Sequence, residues 1–388
     1  MKYIERTISE ELKHSANEYP IIMIMGPRQS GKTTLVRQIF SDKKYVSLKN
    51  LDNRTFAEND PNGFIKTYEA GAIIDEVQRV PTILSYLQTE VDENSIPGRF
   101  ILTGSNQYML QEKVTQSLTG RVALLKLLPL SLEELYNTGK SFSLDQIMFE
   151  GCYPKIHAEK VRVINWYNNY IETYVDKDVR LIKNIENLSL FSLFLKMLAN
   201  RAGQLVNLAS IGNDCGVSQN TIKSWMSILE SSYIIKLLYP YHKNFNKRLV
   251  KTPKIYFLDT GLLCRLLGIK KSSDLQTHPF RGGIFESFIF SELEKTFTNR
   301  AEKSSLYFWR DKNGHEIDFI IDDAKTKLIE VKSARTINSD YFKNINYYYK
   351  QSGGKEKSFL IYSGEEKQYR ENITILPWYK MAEITNDV

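Results

Sequence analysis

The sequence predicts an α/β protein: a parallel sheet built around a phosphate-binding loop, then a helix-turn-helix segment, then a second α/β unit. Three observations predict it. Gly26–Thr33 reads GPRQSGKT and fits G-x-x-x-x-G-K-[ST] directly after the apolar run Ile21–Met25. A second apolar run, Ala72–Ile74, delivers Asp75 and Glu76 at its end, where open parallel sheets hold their ligands. From Gly283 onward a helical pattern gives way to short strands that alternate apolar and charged residues.

At 388 residues the chain exceeds a single core and suggests several domains. A hydrophobic fraction of 42% with 25% charged residues is that of a globular protein, which argues against wholesale disorder. No run approaches the roughly 20 apolar residues that span a bilayer. The charged start MKYIERTISEELKH lacks the apolar stretch of a signal peptide. Cys152, Cys215 and Cys264 are scattered and odd in number, so they read as small core residues in a reducing cytoplasm rather than as disulfides or metal ligands.

The elements follow in order. Ile8–Asn17 predicts a short helix before the first strand. Gly26, Pro27, Arg28, Gln29, Ser30, Gly31, Lys32, Thr33 and Thr34 form the expected cradle for the polyphosphate of ATP, because glycines let backbone N–H groups turn inward and the next helix presents its positive end. Lys32 is placed to reach the β- and γ-phosphates and Thr33 to bind Mg²⁺. Thr34–Phe40 continues as helix and Tyr45–Leu48 as a short strand. Asp75 is placed to hold the Mg²⁺ shell and Glu76 to polarise the attacking water.

Arg99–Leu102 is a further strand, ending in Thr103-Gly104-Ser105-Asn106. Ser105 or Asn106 at its tip is either a γ-phosphate sensor or a turn residue. Arg121, before the apolar run Val122–Leu128, is either a γ-phosphate arginine, acting within the chain or on a neighbouring copy, or a surface residue at a strand start.

Gly139–Leu144 closes the first domain, and Trp166–Lys183 carries Ile171, Tyr174, Val175, Val179 and Ile182 at helical spacing, a core pattern. Leu208–Leu237 reads as helix, turn, helix. Leu208, Ile211, Cys215 and Val217 face inward, Ser218 is an N-cap, and Ile222, Trp225, Ile228 and Leu229 form the second apolar face. Gln219, Asn220 and Lys223 are left outward in the manner of a DNA-reading helix, with Tyr233–Tyr239 and Lys254–Leu258 as wing strands. Between Arg201 and Ile255 eight Lys and Arg stand against Asp214 and Glu230, a net +6 within a chain of +7. Such a segment suits DNA or RNA, although modules of this shape also bind proteins.

Gly283–Phe297 predicts an amphipathic helix. Leu306–Arg310, His315–Ile321 and Lys327–Val331 predict three strands, Ser339–Gln351 a helix and Ser358–Tyr362 a strand. Alternation puts Glu316 and Asp318 on one face and Glu330 with Lys332 on another. Paired as a hairpin, these strands bring Asp318 and Glu330 together as Mg²⁺ ligands, with Lys332 orienting water and Glu286 completing the shell. A solvent-facing hairpin with alternating charges gives the same pattern.

The order of GPRQSGKTT, IIDEVQ, ILTGSNQ, SLTGR with LLPLSLEEL, EGCYPKI and YIETYVDKDVR resembles prokaryotic AAA-type ATPases that carry a winged-helix segment and a C-terminal nuclease-like domain of unknown function. The resemblance covers nearly the whole chain. It implies an AAA-like P-loop NTPase domain at 1–140, a helical connector at 141–200, a winged helix at 201–270 and a PD-(D/E)xK nuclease-like domain at 271–388. Asp176, Asp178 and Arg180 match its acidic-Arg signature. Cys152 stands where the family's Gly-Gly-Tyr-Pro has its second glycine, which puts the local turn in question. Two functions follow: an ATPase coupled to nucleic-acid binding or processing, or a nucleotide-operated switch with a protein-binding winged helix and an inactive nuclease-like scaffold.

Overall fold

A computed structural model describes residues 3–105, 117–173, 187–241 and 250–386. The N-terminal lobe runs α1 (Ser9–Glu18), β1 (Ile21–Met25), α2 (Lys32–Ile39), β2 (Lys44–Ser47), α3 (Leu51–Asn59), α4 (Pro61–Thr67), β3 (Ala72–Asp75), α5 (Ile83–Glu93), β4 (Phe100–Gly104) and β5 (Val122–Lys126). Its five strands are parallel in the order β2-β3-β4-β1-β5. The three central strands are buried on every residue and apolar up to their C-terminal ends, where β3 closes on Asp75 and β4 on Thr103 and Gly104, because helices cover both faces. Edge strand β5 alternates instead and leaves Leu124 43% exposed.

Register fixes which residues share the working edge of this sheet. Met25 pairs with Gly104 and Lys126, and Ser47 with Asp75, so the C-terminal ends of the strands align beside the loop that follows β1. Helices α3, α4 and α5 were not expected from the apolar pattern, yet two carry their start signals: Asn50 accepts from Asn53 N, and Asp60 accepts from Gly63 N with Pro61 at the first turn.

The middle of the chain is helical: α6 (Leu132–Tyr136), α7 (Leu144–Glu150), α8 (Pro154–Ala158), α9 (Val163–Tyr170), α10 (Leu188–Ala199), α11 (Leu208–Cys215) and α12 (Gln219–Ser231). Antiparallel strands β6 (Ile235–Leu238) and β7 (Lys254–Phe257) and helix α13 (Thr260–Leu266) follow. Ser218 caps α12 by accepting from Thr221 N, as its position predicts. Of the expected helix Trp166–Lys183, only its first part lies within the described residues. Asp176, Asp178 and Arg180 lie outside them.

The C-terminal unit is α14 (Arg281–Asn299), β8 (Leu306–Arg310), β9 (Glu316–Ile321), β10 (Lys327–Lys332), α15 (Lys343–Ser352), β11 (Lys357–Tyr362), β12 (Gln368–Arg370), β13 (Ile373–Pro377) and α16 (Glu383–Asn386). The expected order α-β-β-β-α-β is present, extended by β12 and β13 into a six-stranded mixed sheet, β12-β13-β11-β10-β9-β8. One hydrophobic core runs from Met23 under β1, through Phe194 and Trp225 in the middle, to Phe288 on α14 and Phe319 on β9. The lobes are therefore packed, not strung on linkers. Among the described residues no helix is long and apolar enough to cross a membrane.

Candidate nucleotide site and carboxylate cluster

The loop between β1 and α2 turns through two left-handed residues, Gln29 (φ 63°) and Gly31 (φ 96°). Gly31 is the N-cap of α2, a conformation that L side chains adopt at a cost of about 1 kcal/mol or more. Lys32 is 6% exposed, and its ammonium donates to the carbonyls of Gly26 and Pro27 at 2.8 Å each. Burial pulls its pKa down to about 8 against the attraction of Glu76 and Asp75. Ser30 Oγ in the same loop is buried without a hydrogen-bond partner. A buried cation held, among the described residues, by loop carbonyls, beside an orphaned hydroxyl and a helix start, is a site that a polyphosphate completes.

Asp75, 1% exposed, lies where three strands converge. Its carboxylate accepts from Thr33 Oγ1 at 2.7 Å, Thr103 Oγ1 at 2.6 Å and Tyr45 Oη at 3.1 Å. Burial opposes its charge, but the Thr103 and Thr33 hydroxyls and the Lys49 ammonium outweigh it and hold the pKa below the usual carboxylate value. A hydroxyl and an ionised carboxylate 2.7 Å apart at a helix start fit a Mg²⁺ site, with Thr33 and Asp75 as its protein ligands.

Glu76 takes the left-handed conformation (φ 63°), uncommon outside glycine, and its N–H donates to Thr103 Oγ1. The turn aims its carboxylate at Ser105 Oγ (3.2 Å), Gln78 Nε2 and Lys49 Nζ (3.1 Å). Ser105, one of the two expected tip residues, thus touches the Glu76 carboxylate. Asn106, the other, lies outside the described residues. Lys49 and Thr103 were missed from sequence, although both stand at C-terminal ends of strands flanking the acidic one.

Arg121 is not brought to the loop. Its carbonyl accepts from Ile21 N, at the start of β1, which puts it at the opposite edge of the sheet, roughly 16 Å from the loop at ~3.3 Å per residue. Its guanidinium forms a two-point pair with Asp92. This register keeps it from the phosphates of its own chain and leaves the other two expectations, a surface residue at a strand start and action on a neighbouring copy.

The loop is braced from behind. Arg6, 4% exposed, donates to Ser30 O at 2.8 Å and Leu128 O at 2.7 Å and pairs with Glu134 at 3.0 Å. Glu134 also accepts from Thr7 N and Ser131 N, the latter closing the capping box of α6. On the other side of this segment α14 takes hold: Glu292 accepts from Leu132 N at 2.8 Å, and Lys295 donates to Leu130 O at 2.8 Å and to Glu292 at 2.6 Å.

The second predicted site is assembled in part. Lys332 donates to Glu330 at 2.7 Å and lies 3.4 Å from Asp318, which also accepts from Val331 N. Burial and repulsion by Asp318 push the Glu330 carboxyl up to about 8, and its Oε2 has no partner. Glu286 goes elsewhere, to Lys254 Nζ at 3.0 Å and to Tyr256 Oη. Lys254, 2% exposed, also pairs with Glu316 at 2.5 Å. Among the described residues no group of three or more His, Cys, Asp or Glu side chains is disposed to hold a metal ion. The four predicted residues are not gathered into one Mg²⁺ shell: Glu286 is turned to Lys254, and Lys332 occupies one oxygen each of Asp318 and Glu330.

The basic middle segment presents less charge than its count suggests. Arg201 pairs with Asp214, Lys236 with Glu294 and Lys254 with two glutamates, while Lys243, Lys247 and Arg248 lie outside the described residues. Gln219, Asn220 and Lys223 are exposed on the first turns of α12, as expected.

Fold and site together define a P-loop domain of the AAA-type ATPase class. Residues 18–136 match the AAA domain family AAA_14, residues 141–273 a domain of unknown function, DUF8612, and residues 281–381 another, DUF4143. The chain is similar to the uncharacterized protein Rv2008c of Mycobacterium tuberculosis, 28% identical over 327 residues that span 82% of this chain and 71% of the relative. An uncharacterized protein of Haemophilus influenzae is 23% identical over 310 residues, 70% of this chain and 74% of its own. Among solved structures, the Walker-type ATPase PABY2304 of Pyrococcus abyssi has TM-score 0.48 at 14% identity, covering 68% of this chain and 96% of that one. AMPPCP-bound DnaA from Aquifex aeolicus has TM-score 0.30 at 14% identity, covering 57% and 85%.

Proposed function

We propose that this chain is a cytoplasmic Mg²⁺-dependent ATP hydrolase that couples turnover to nucleic-acid binding through α11 and α12, a winged helix with β6 and β7. The observation that carries the ATPase reading is the arrangement around Asp75, with Thr33 and Thr103 bonded to it and Glu76 turned beside it on Ser105. The bound Mg²⁺ supplies charge neutralisation on the phosphates. Lys32 leaves its loop carbonyls for the β- and γ-phosphates and offsets charge developing on the γ-phosphoryl group. Glu76, fixed by Ser105 and Gln78, accepts a hydrogen bond from the water in line with the scissile bond. Arg121 serves a neighbouring copy in an oligomer.

The brace supports coupling. A shift of the loop at Ser30 bears on Arg6, then on segment 128–134, then on Glu292 and Lys295 of α14. Each link is a buried hydrogen bond, so the parts move together or break. For the C-terminal unit, the pairing of its acids with Lys254 and Lys332 favours the second reading, a nuclease-like scaffold without cleavage.

The test is ATP turnover and DNA and RNA binding by the full chain. Expected are Mg²⁺-dependent hydrolysis and nucleic-acid binding that falls steeply with salt, with Lys223→Ala lowering the salt slope by about one. A protein that hydrolyses ATP but binds neither nucleic acid at low salt is instead the protein-directed switch.

A further inference from the structure

Four carboxylates, Glu286, Glu316, Asp318 and Glu330, converge where β7, α14, β9 and β10 meet, each at most 18% exposed at the side chain. Three cations face them: Lys332 on Asp318 and Glu330, Arg310 on Glu316 at 2.9 Å, and Lys254 between Glu286 and Glu316. With three cations against four carboxylates, and with burial and Asp318 raising the Glu330 carboxyl toward its neutral form, the cluster keeps too little net negative charge to draw a divalent ion from water into a buried site.

Lys254 differs from the other two in origin. It belongs to β7 of the middle unit, whose backbone is fixed by antiparallel pairing with β6 and by a bridge to Leu205. Its ammonium lies 5.7 Å from the Phe308 ring. Beside it Tyr256 stacks on Phe290 of α14 at 4.4 Å, and on β6 Lys236 pairs with Glu294, also of α14. Both strands of the small sheet therefore send a lysine to a glutamate of the same C-terminal helix. This face of the sheet is committed to protein and cannot also read DNA.

We propose that Lys254 is the resident cation of the carboxylate cluster, taking the electrostatic place of a divalent metal and locking the β6–β7 sheet onto α14. The C-terminal centre is then a lysine receptor, complete without metal. This deepens the scaffold reading of the C-terminal unit and is independent of the ATP site. Removing Lys254 makes the local balance more negative by one charge and frees Glu286 and Glu316 to accept another cation.

The experiment measures Mn²⁺ uptake by the nucleotide-free full chain, by the electron paramagnetic resonance signal of free Mn²⁺, for wild type, Asp318→Asn, Lys254→Met and Lys254→Met/Asp318→Asn. Wild type and Asp318→Asn are expected to bind Mn²⁺ alike. Lys254→Met is expected to gain a site about tenfold or more tighter, lost again in the double variant. Wild-type uptake that Asp318→Asn abolishes overturns the proposal, as does a folded Lys254→Met with no gain. Should Lys254→Met unfold, Lys254→Met/Glu286→Gln recovers thermal stability by removing the stranded charge; failure to recover it overturns the lock. Binding of a fluorescent ATP analogue to the same samples reads the nucleotide site separately.

Discussion

Arg6 Nη1 donates to Ser30 O at 2.8 Å while its Nε stands 3.0 Å from Glu134, so one guanidinium ties the phosphate loop to the cap of α6. Both side chains are at most 4% exposed. Breaking a buried pair by removing one partner costs about 3–5 kcal/mol, because the other charge is left without compensation. Glu134 keeps its bonds from Thr7 N and Ser131 N, which places Arg6→Met at about 3 kcal/mol. Lysine cannot reproduce three divergent donations, so Arg6→Lys recovers little of this. Urea unfolding of both variants checks the figure; a loss under about 1 kcal/mol for Arg6→Met would refute the clamp.

Lys32 and Glu76 separate binding from chemistry. Lys32→Ala removes the buried ammonium that meets the phosphates and is expected to abolish nucleotide binding. Glu76→Gln keeps a side chain of the same shape on Ser105 and Gln78 but removes the carboxylate, so ATP still binds while kcat falls by about 10²–10⁴. Fluorescent-nucleotide titration and phosphate release on each variant decide it. Normal turnover in either would displace the assigned site.

Gly151 and Cys152 give a contrast in neighbouring residues. Gly151 has φ 66°, and a Cβ there would stand 2.1 Å from Tyr167 Oη and 2.6 Å from Asp259 Oδ1. Asp259 in turn accepts from Tyr167 Oη, Cys152 N and Leu262 N. Gly151→Ala therefore forces apart a buried network and is expected to cost about 3 kcal/mol or more. Cys152 has no positive φ, so the missing second glycine leaves the turn intact. Cys152→Gly is expected to lose about 1–2 kcal/mol through its emptied side-chain volume, with no change of fold. Thermal unfolding of the two variants should rank them in that order.

What was legible in the sequence was what repeats a local rule. GPRQSGKT, the acidic end of β3 and the Ser218 cap each report backbone geometry within a few residues, and each element stands where its pattern put it. Lys254 and Arg6 carry no such mark. Their roles arise from partners 32 and 128 positions away, brought together only by packing of separate lobes. Charge counting overstates the free charge for the same reason: the segment after Arg201 is basic in sequence, but Lys236 and Lys254 are paired with α14. The sequence left Arg121 between two roles because it shows a strand start without telling which end of the parallel sheet faces the phosphate loop.

His157 makes the fold sensitive to acid. It is 7% exposed, its Nε2 lies 2.8 Å from Gly151 O, and the Phe142 ring stands edge-on to it at 5.6 Å. Burial, with the charges of Lys140 and Lys295 acting in the same direction, pulls its pKa down to about 4 against the bond to Gly151. In the unfolded chain it titrates near 6.5, so between about 6.5 and 4 the unfolded state binds the extra proton. Stability is therefore full above pH 6.5, falls as pH drops toward 4, and loses no more below that from this residue. The limit of the loss is about 3 kcal/mol. His157→Gln cannot take up that proton, so the stability difference between wild type and variant, measured by urea unfolding at pH 7.5 and 4.5, should shift in favour of the variant at about the lower pH. A difference that stays constant between the two pH values would show that the imidazole is not held neutral by its burial.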